Sequence, residues 1–329
     1  MNHTKLALTR FALPAMLALG AALQPAHGQQ YPTKPITFIV PYAAGGSSDT
    51  RSRQLAQRLA THFGQAVVVE NRPGASGNIG TDAIARATPD GYVIGLGNFA
   101  PMAINAALYQ HLSYDPARIT KVAPLEKGPL VLAVAASSPY STLPEFLAYA
   151  KARRGEIDYA STGAGGASHL VAELFKREAG IDAVHVPYRG GAPAINDLIG
   201  GNVDFMMDLA SLFMPHAGGA DPKIKILAVT SEQRLPALPD VPTFREQGLP
   251  DMVASNWFGV IGPAGLPDDI VSKLNSAVGQ VVKDPAYAGT VTGQGAEVMT
   301  GSPADFAGFV ESESRRWGTV IKAAGIQAH

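Results

Sequence analysis

Short runs of β-branched and apolar residues alternate along this chain with longer stretches whose apolar positions recur every three or four residues. The short runs, at residues 36–40, 66–70, 92–96, 130–136, 157–160, 183–186, 203–207, 224–230 and 257–261, read as strands. The longer ones, at 50–63, 78–87, 143–153, 169–179, 192–199, 268–283 and 303–324, read as amphipathic helices. Strands that take turns with helices form parallel sheets whose faces the helices cover, so the expectation is an α/β chain with two sheets. The proline-rich stretch at 235–242 reads as a rigid crossing rather than a linker to a third domain.

Two strand-to-helix junctions are rich in glycine and serine: Pro41-Tyr42-Ala43-Ala44-Gly45-Gly46-Ser47-Ser48-Asp49, and Ser161-Thr162-Gly163-Ala164-Gly165-Gly166-Ala167-Ser168-His169. Taken singly, each is a tight turn with a serine cap. Their recurrence, with a related turn at Arg72-Pro73-Gly74-Ala75-Ser76-Gly77, argues for a ligand. The first N–H groups of a helix lack intrahelical partners and carry the positive end of its dipole, so such a junction binds a carboxylate or phosphate without Lys or Arg. Ser48 or Asp49 is expected to cap the first of these helices and Ser168 the second, while Pro267 with Asp268 and Asp269 opens the helix at 268–283. Both loops fall at carboxyl ends of strands, where open α/β sheets bind ligands.

Composition narrows the setting. The first residues carry Lys5 and Arg10, then an apolar run at 11–23, then Ala26-His27-Gly28 before Gln29, the pattern of a secretory signal peptide cleaved near Gly28-Gln29. That run is shorter than the about 20 helical residues that span a bilayer, so a periplasmic protein is expected. With no cysteine there is no disulfide, lipid-anchored cysteine, thiol nucleophile or zinc-thiolate site. A formal net charge of -1 carries no nucleic-acid or polybasic membrane signature.

Catalytic patterns are absent as well. There is no Gly-Lys-Ser/Thr of a phosphate-binding loop, no complete dinucleotide fingerprint, no His-Glu-x-x-His and no nucleophile elbow. An exported hydrolase would need a histidine close to Ser76 or Ser161; His169 and His185 come near the second loop, where capping or sheet-edge roles are the commoner ones. Asp208, at the far end of its strand, is expected to face the cleft, whereas Asp204 begins that strand. Arg51 and Arg53 read as solvated charges, with Arg51 a secondary candidate for an anion contact. The reading is therefore non-enzymatic, with no cofactor and no metal.

Several stretches together resemble the receptors of the tripartite tricarboxylate transporters, the Bug receptor family, over essentially all of residues 29–329. They include Tyr31-Pro32-Thr33-Lys34-Pro35-Ile36, Val40-Pro41-Tyr42 with Gly45-Gly46 and Asp49, Val69-Glu70-Asn71-Arg72-Pro73-Gly74-Ala75, Ser168-His169-Leu170, Val184-His185-Val186-Pro187-Tyr188 and Gly200-Gly201-Asn202-Val203-Asp204. The resemblance implies two Rossmann-like lobes of the type II periplasmic-binding kind, hinged by crossing strands and closing over a small carboxylate. Its division would be residues 1–28 as signal peptide, 29–129 plus 253–329 as one lobe, and 130–252 as the other. It implies ligand contacts from Tyr42, Ala43, Gly45, Gly46, Ser47, Asp49, Ser76, Ser161, Gly163, Ala164, Gly165, Ser168 and His169. Asn98, Phe99, Asp208 and Leu209 would set selectivity, and Phe99, Met207 and Leu209 would make the distal pocket apolar, suited to an aromatic or short aliphatic acid. The implied partner of this monomer is the permease of such a transporter; a signalling kinase, making the chain a sensor, is the alternative.

Overall fold

The structure, a computed structural model, describes residues 31–324; the expected signal segment lies outside them. In chain order its elements are β1 (Ile36–Val40), α1 (Ser47–Phe63), β2 (Val67–Asn71), α2 (Asn78–Ala85), β3 (Val93–Asn98), α3 (Asn105–Leu108), β4 (Thr120–Ala135), α4 (Leu143–Ala152), β5 (Asp158–Ser161) and α5 (Ala167–Ala179). There follow β6 (Val184–Pro187), α6 (Gly191–Ile199), β7 (Phe205–Leu209), α7 (Ala210–Ala217), β8 (Ile224–Val229), β9 (Ser255–Gly262), α8 (Asp268–Lys283), α9 (Pro285–Gly293), β10 (Glu297–Val298) and α10 (Pro303–Ala324). A 3-10 turn at Ala75–Gly77 precedes α2 and a π-helical turn at Ala100–Ile104 precedes α3.

Every predicted run is present. Pattern reading missed the short α3 and β10, and three longer stretches for physical reasons: α7 contains Pro215, α9 has no apolar stripe, and the first half of β4 carries Pro124, Glu126, Lys127 and Pro129. Proline has no N–H to give to a ladder, and β4 slips register against β9 between Pro124 and Glu126, where the ladder is broken.

The strands form the same pattern twice. Around β1 the order is β2-β1-β3-β9-β4, and around β5 it is β6-β5-β7-β4-β8. In each half the first three strands run parallel and the next pairs antiparallel to them: β3 with β9, and β7 with β4. The long strand β4 belongs to both. It pairs with β9 from Thr120 to Pro129 and with β7 from Leu130 onward, so it passes from one half of the sheet to the other at the Pro129–Leu130 step.

The fully buried Thr230 holds that step. Its hydroxyl accepts the Leu130 N–H at 2.8 Å and donates to the Ala254 carbonyl at 2.7 Å, tying β4 to the chain returning from the second lobe. The core lies between sheets and helices, with β1 (Ile36, Phe38, Ile39, Val40) buried on both faces, as a parallel strand under two helix layers should be. The last helix, α10, returns to the first lobe, where Trp317 meets Phe99 edge-on at 5.1 Å.

Candidate ligand-binding site

Because the two halves repeat one topology, the β1–α1 and β5–α5 loops occupy equivalent positions, each leaving the carboxyl end of a central parallel strand. The lobes are closed on one another at these loops. A Cβ built on Gly46 would stand 3.4 Å from Gly191 N, one on Gly190 3.1 Å from the Ala43 Cβ, and one on Gly165 2.7 Å from Leu108. Between them lies a cavity of about 20 Å³, measured for the centre of a water-sized sphere, walled by Tyr42, Ala43, Gly46, Ser47, Ser48, Asn98, Thr162, Ala167, Gly191, Asp208 and Asn256.

The helix starts at this cavity differ from expectation. The residue before α1 is Gly46 and the residue before α5 is Gly166, both extended, and no side chain caps either helix. The expected caps are turned elsewhere. Asp49 folds back under the loop: Oδ2 accepts the Gly45 N–H at 2.9 Å and Oδ1 accepts from Asn71 at 2.9 Å, with Arg53 bridging both oxygens. Burial raises the Asp49 pKa, but these donors outweigh it and hold the carboxyl below its usual value. Ser168 likewise points back, accepting the Thr162 N–H at 2.9 Å. A third uncapped start, α6 after Gly190, brings Gly191 to the same cavity. Helix ends without caps keep their first N–H groups available to a ligand.

The remaining wall is polar. Tyr42 donates to Asn98 Oδ1 at 2.6 Å, and Asn98 Nδ2 donates to Asn256 Oδ1 and to the Trp257 carbonyl. Asn98 is thereby spent on the wall itself. Asn256 Oδ1 also accepts the Trp257 N–H, while its Nδ2 donates to no protein atom among the described residues. Burial, reinforced by Tyr114 and Asp208, pushes the Tyr42 phenol far above its ordinary pKa, so it stays protonated. Asp208 accepts the N–H of Leu209 at 2.7 Å; burial pushes its pKa up to about 7, against the opposing pull of that N–H and of the Thr162 hydroxyl.

Behind the second loop lies a brace. Ser161 Oγ is 2.6 Å from His185 Nε2, His185 stacks on His169 at 3.9 Å between ring centres, and His169 Nδ1 accepts the Gly165 N–H at 2.8 Å. Burial and the neighbouring His169 lower the His185 pKa to about 4, and burial lowers that of His169, so both rings are neutral at pH 7. The serine–histidine contact a hydrolase would need is thus present, but Ser161 is fully buried and does not border the cavity.

A family model for the tripartite tricarboxylate transporter family receptor matches residues 52–326. The chain is 34% identical to the protein BugT of Bordetella pertussis over 99% of both chains. Among solved structures it resembles an R. palustris protein with adipate (37% identity, TM-score 0.86, 90% of this chain and 99% of that one) and the periplasmic binding protein BugD (34% identity, TM-score 0.85, 91% and 100%).

This chain belongs to the tripartite tricarboxylate transporter receptor family.

Of the positions named from the receptor's sequence, the structure brings Tyr42, Ala43, Gly46, Ser47, Asn98 and Asp208 together on one wall. Several others stand behind it. Gly45, with φ of +86°, shapes the loop, Asp49 anchors it, and Ser161, Gly163, Ala164, Gly165, Ser168 and His169 build and brace the second loop. Ser76, itself in left-handed backbone, packs on Gly163 and Gly166 from the opposite lobe. Phe99 and Leu209 are corrections: neither lines the cavity, because Phe99 packs on Trp317 and Leu209 lies in the core beside Gly128. Met207 is buried in the core too, so the wall is polar where an apolar one was expected. Arg51 is not a solvated charge. It is 2% exposed, pairs with the buried Glu126 at 2.6 Å and donates to Gln54 and Gln294. Sequence reading missed Ser48, Thr162 and Ala167 as wall residues although they lie inside the two loops. Gly191 was visible as a helix start after a glycine pair, and Asn256, in an ordinary strand, carried no local signal.

Proposed function

We propose that this receptor works in the periplasm, captures a small carboxylic acid between its lobes and presents it to the membrane permease of a tripartite tricarboxylate transporter. The observation that carries the proposal is the convergence of three uncapped helix starts, at Gly46, Gly166 and Gly190, on one closed polar cavity. Fixed N–H donors aimed at a small desolvated volume favour an anion without any paired cation. Membership of the receptor family supports the transport partner, and the adipate in a 37% identical structure supports the ligand class. The lobes are taken as residues 29–129 with 253–329, and 130–252, closing as hinged bodies in a monomer. Tyr42, Ser47, Ser48, Thr162, Asn256 and Asp208 are the proposed contacts, with Asn98 holding Tyr42 and Asn256 in place, and their polarity favours an acid with further oxygen functions over a purely apolar one.

A melting screen of protein beginning at Gln29 against mono-, di- and tricarboxylates and aromatic acids tests this. A bound acid at about 100 times its Kd adds about 2.7 kcal/mol, a shift that is read directly. No stabilisation by any carboxylate, with calorimetry equally silent, rejects the receptor reading.

A further inference from the structure

The cavity that receives the acid holds an acid of its own. Among the described residues Asp208 is the only carboxylate on its wall, and it is 5% exposed. Its environment contains nothing to balance a negative charge: among the described residues it belongs to no ion pair. The groups facing it are neutral. The β1–α1 loop contributes the protonated phenol of Tyr42, β3 the amide of Asn98, and β9 the amide of Asn256. The β5–α5 loop contributes Thr162, α6 contributes Gly191, β4 sets Val131 opposite in register, and the start of α7 supplies one N–H from Leu209.

Two carboxylates in one small desolvated volume do not both stay ionised; the pKa of one rises strongly. Which one gives way depends on the donors each has. The incoming carboxylate meets the free N–H groups of three helix starts, whereas Asp208 has one backbone N–H and a hydroxyl. The proton therefore settles on Asp208. Resting on the receptor reading above, we infer that this protein captures its acid together with one proton from solvent, held on Asp208 for as long as the ligand is bound. The protonated carboxyl then changes from an acceptor that repels the ligand to an O–H donor directed into the cavity. Burial has already moved the ligand-free group to about 7, and the ligand's own charge must carry it on past the top of the measured range for the proton to stay.

The test is calorimetry on protein from Gln29, with whichever of adipate, malate, succinate and benzoate gives the largest melting shift. Titrations at about pH 8 in two buffers of different ionisation enthalpy count protons, and a series from about pH 7 to about pH 9, where these acids are fully ionised, gives the slope. Expected are about one proton taken up per ligand and a Kd that rises about tenfold per pH unit across the upper part of that range. In Asp208→Asn, both the uptake and the slope should vanish. Binding without proton uptake and with a flat Kd in the unaltered protein overturns the inference while leaving the receptor reading intact. A slope that persists in Asp208→Asn also overturns it. So does an Asp208→Asn protein that melts normally yet binds at no pH, because a neutral side chain of the same shape should replace a protonated carboxyl. Should that variant fail to fold, proton uptake by the unaltered protein decides alone. If no acid binds at any pH, the receptor reading itself fails and this inference with it.

Discussion

Asp208 and Asn98 show how much one residue's direction decides. Both belong to strands, where neighbouring side chains point to opposite faces. Once Asp208 faces the cavity, Met207 and Leu209 face away; Phe99, the first residue past β3 and already helical, meets Trp317 in the core. An apolar distal pocket was expected from Phe99, Met207 and Leu209; none of the three side chains lines this cavity. Arg51 carries a second lesson at this scale, because a guanidinium one turn into an exposed-looking helix is buried against Glu126, with both side chains 3% exposed. Removing one member leaves the other charged and unpaired in the interior, so Glu126→Gln should cost about 3–5 kcal/mol, and Arg51→Met combined with Glu126→Met should recover much of it. Urea unfolding of the variants measures both; a Glu126→Gln protein within experimental error of the original would show that the pair is solvated.

At the scale of elements, the helix starts and the long strand β4 matter most. Serine and aspartate near a helix start ordinarily cap it. Here Asp49 and Ser168 lie inside their helices and use their oxygens to tighten the loop from behind, so the N–H groups at the front stay open. The loops are held by residues that never reach the cavity. On β4, the joint between lobes adds the Thr230 hydroxyl to the backbone bonds Thr230 makes with Leu130 and Ala254. Replacing Thr230 by valine keeps its shape but leaves the buried Leu130 N–H unpaired, so a loss of about 1–3 kcal/mol is expected. Amide exchange at Leu130 should quicken along with it. An unchanged melting curve and unchanged exchange would assign the joint to packing alone.

For the whole molecule, the twice-used strand order places two equivalent loops face to face, and closure brings glycine onto glycine. Gly46 has φ of -83°, which suits any residue, yet its built Cβ already touches the start of α6 at 3.4 Å. A valine there extends past that contact. Gly46→Val should fold normally, keep the lobes apart and weaken carboxylate binding by at least about tenfold, or about 1.4 kcal/mol. Small-angle scattering with and without ligand checks the cause: the original protein should compact and the variant should not. A variant that compacts and binds as the original does would show that the lobes need not meet at Gly46 and Gly191.

The order of strands and helices was legible in the sequence because each element's pattern is local: apolar alternation or a three-to-four repeat survives whatever the chain later packs against. The two glycine loops were legible for the same reason, since glycine and serine at a strand-to-helix junction state their backbone needs on the spot. Local pattern did not reveal Pro215 inside α7 or the prolines in β4, where packing overrides propensity. Nor did it reveal which oxygens cap and which brace, because the Asp49 partner Asn71 and the Thr162 partner Ser168 compete through space with the helix ends. Asn256 reaches the cavity because β9 pairs with both β3 and β4, and Arg51 is buried because Glu126 of β4, Tyr287 of α9 and Gln294 come to it from far along the chain. The sequence by itself determined the elements and the positions of the two glycine loops; the tertiary structure alone decided which side chains share the closed cavity, because that depends on strand register and lobe closure between residues far apart in the chain.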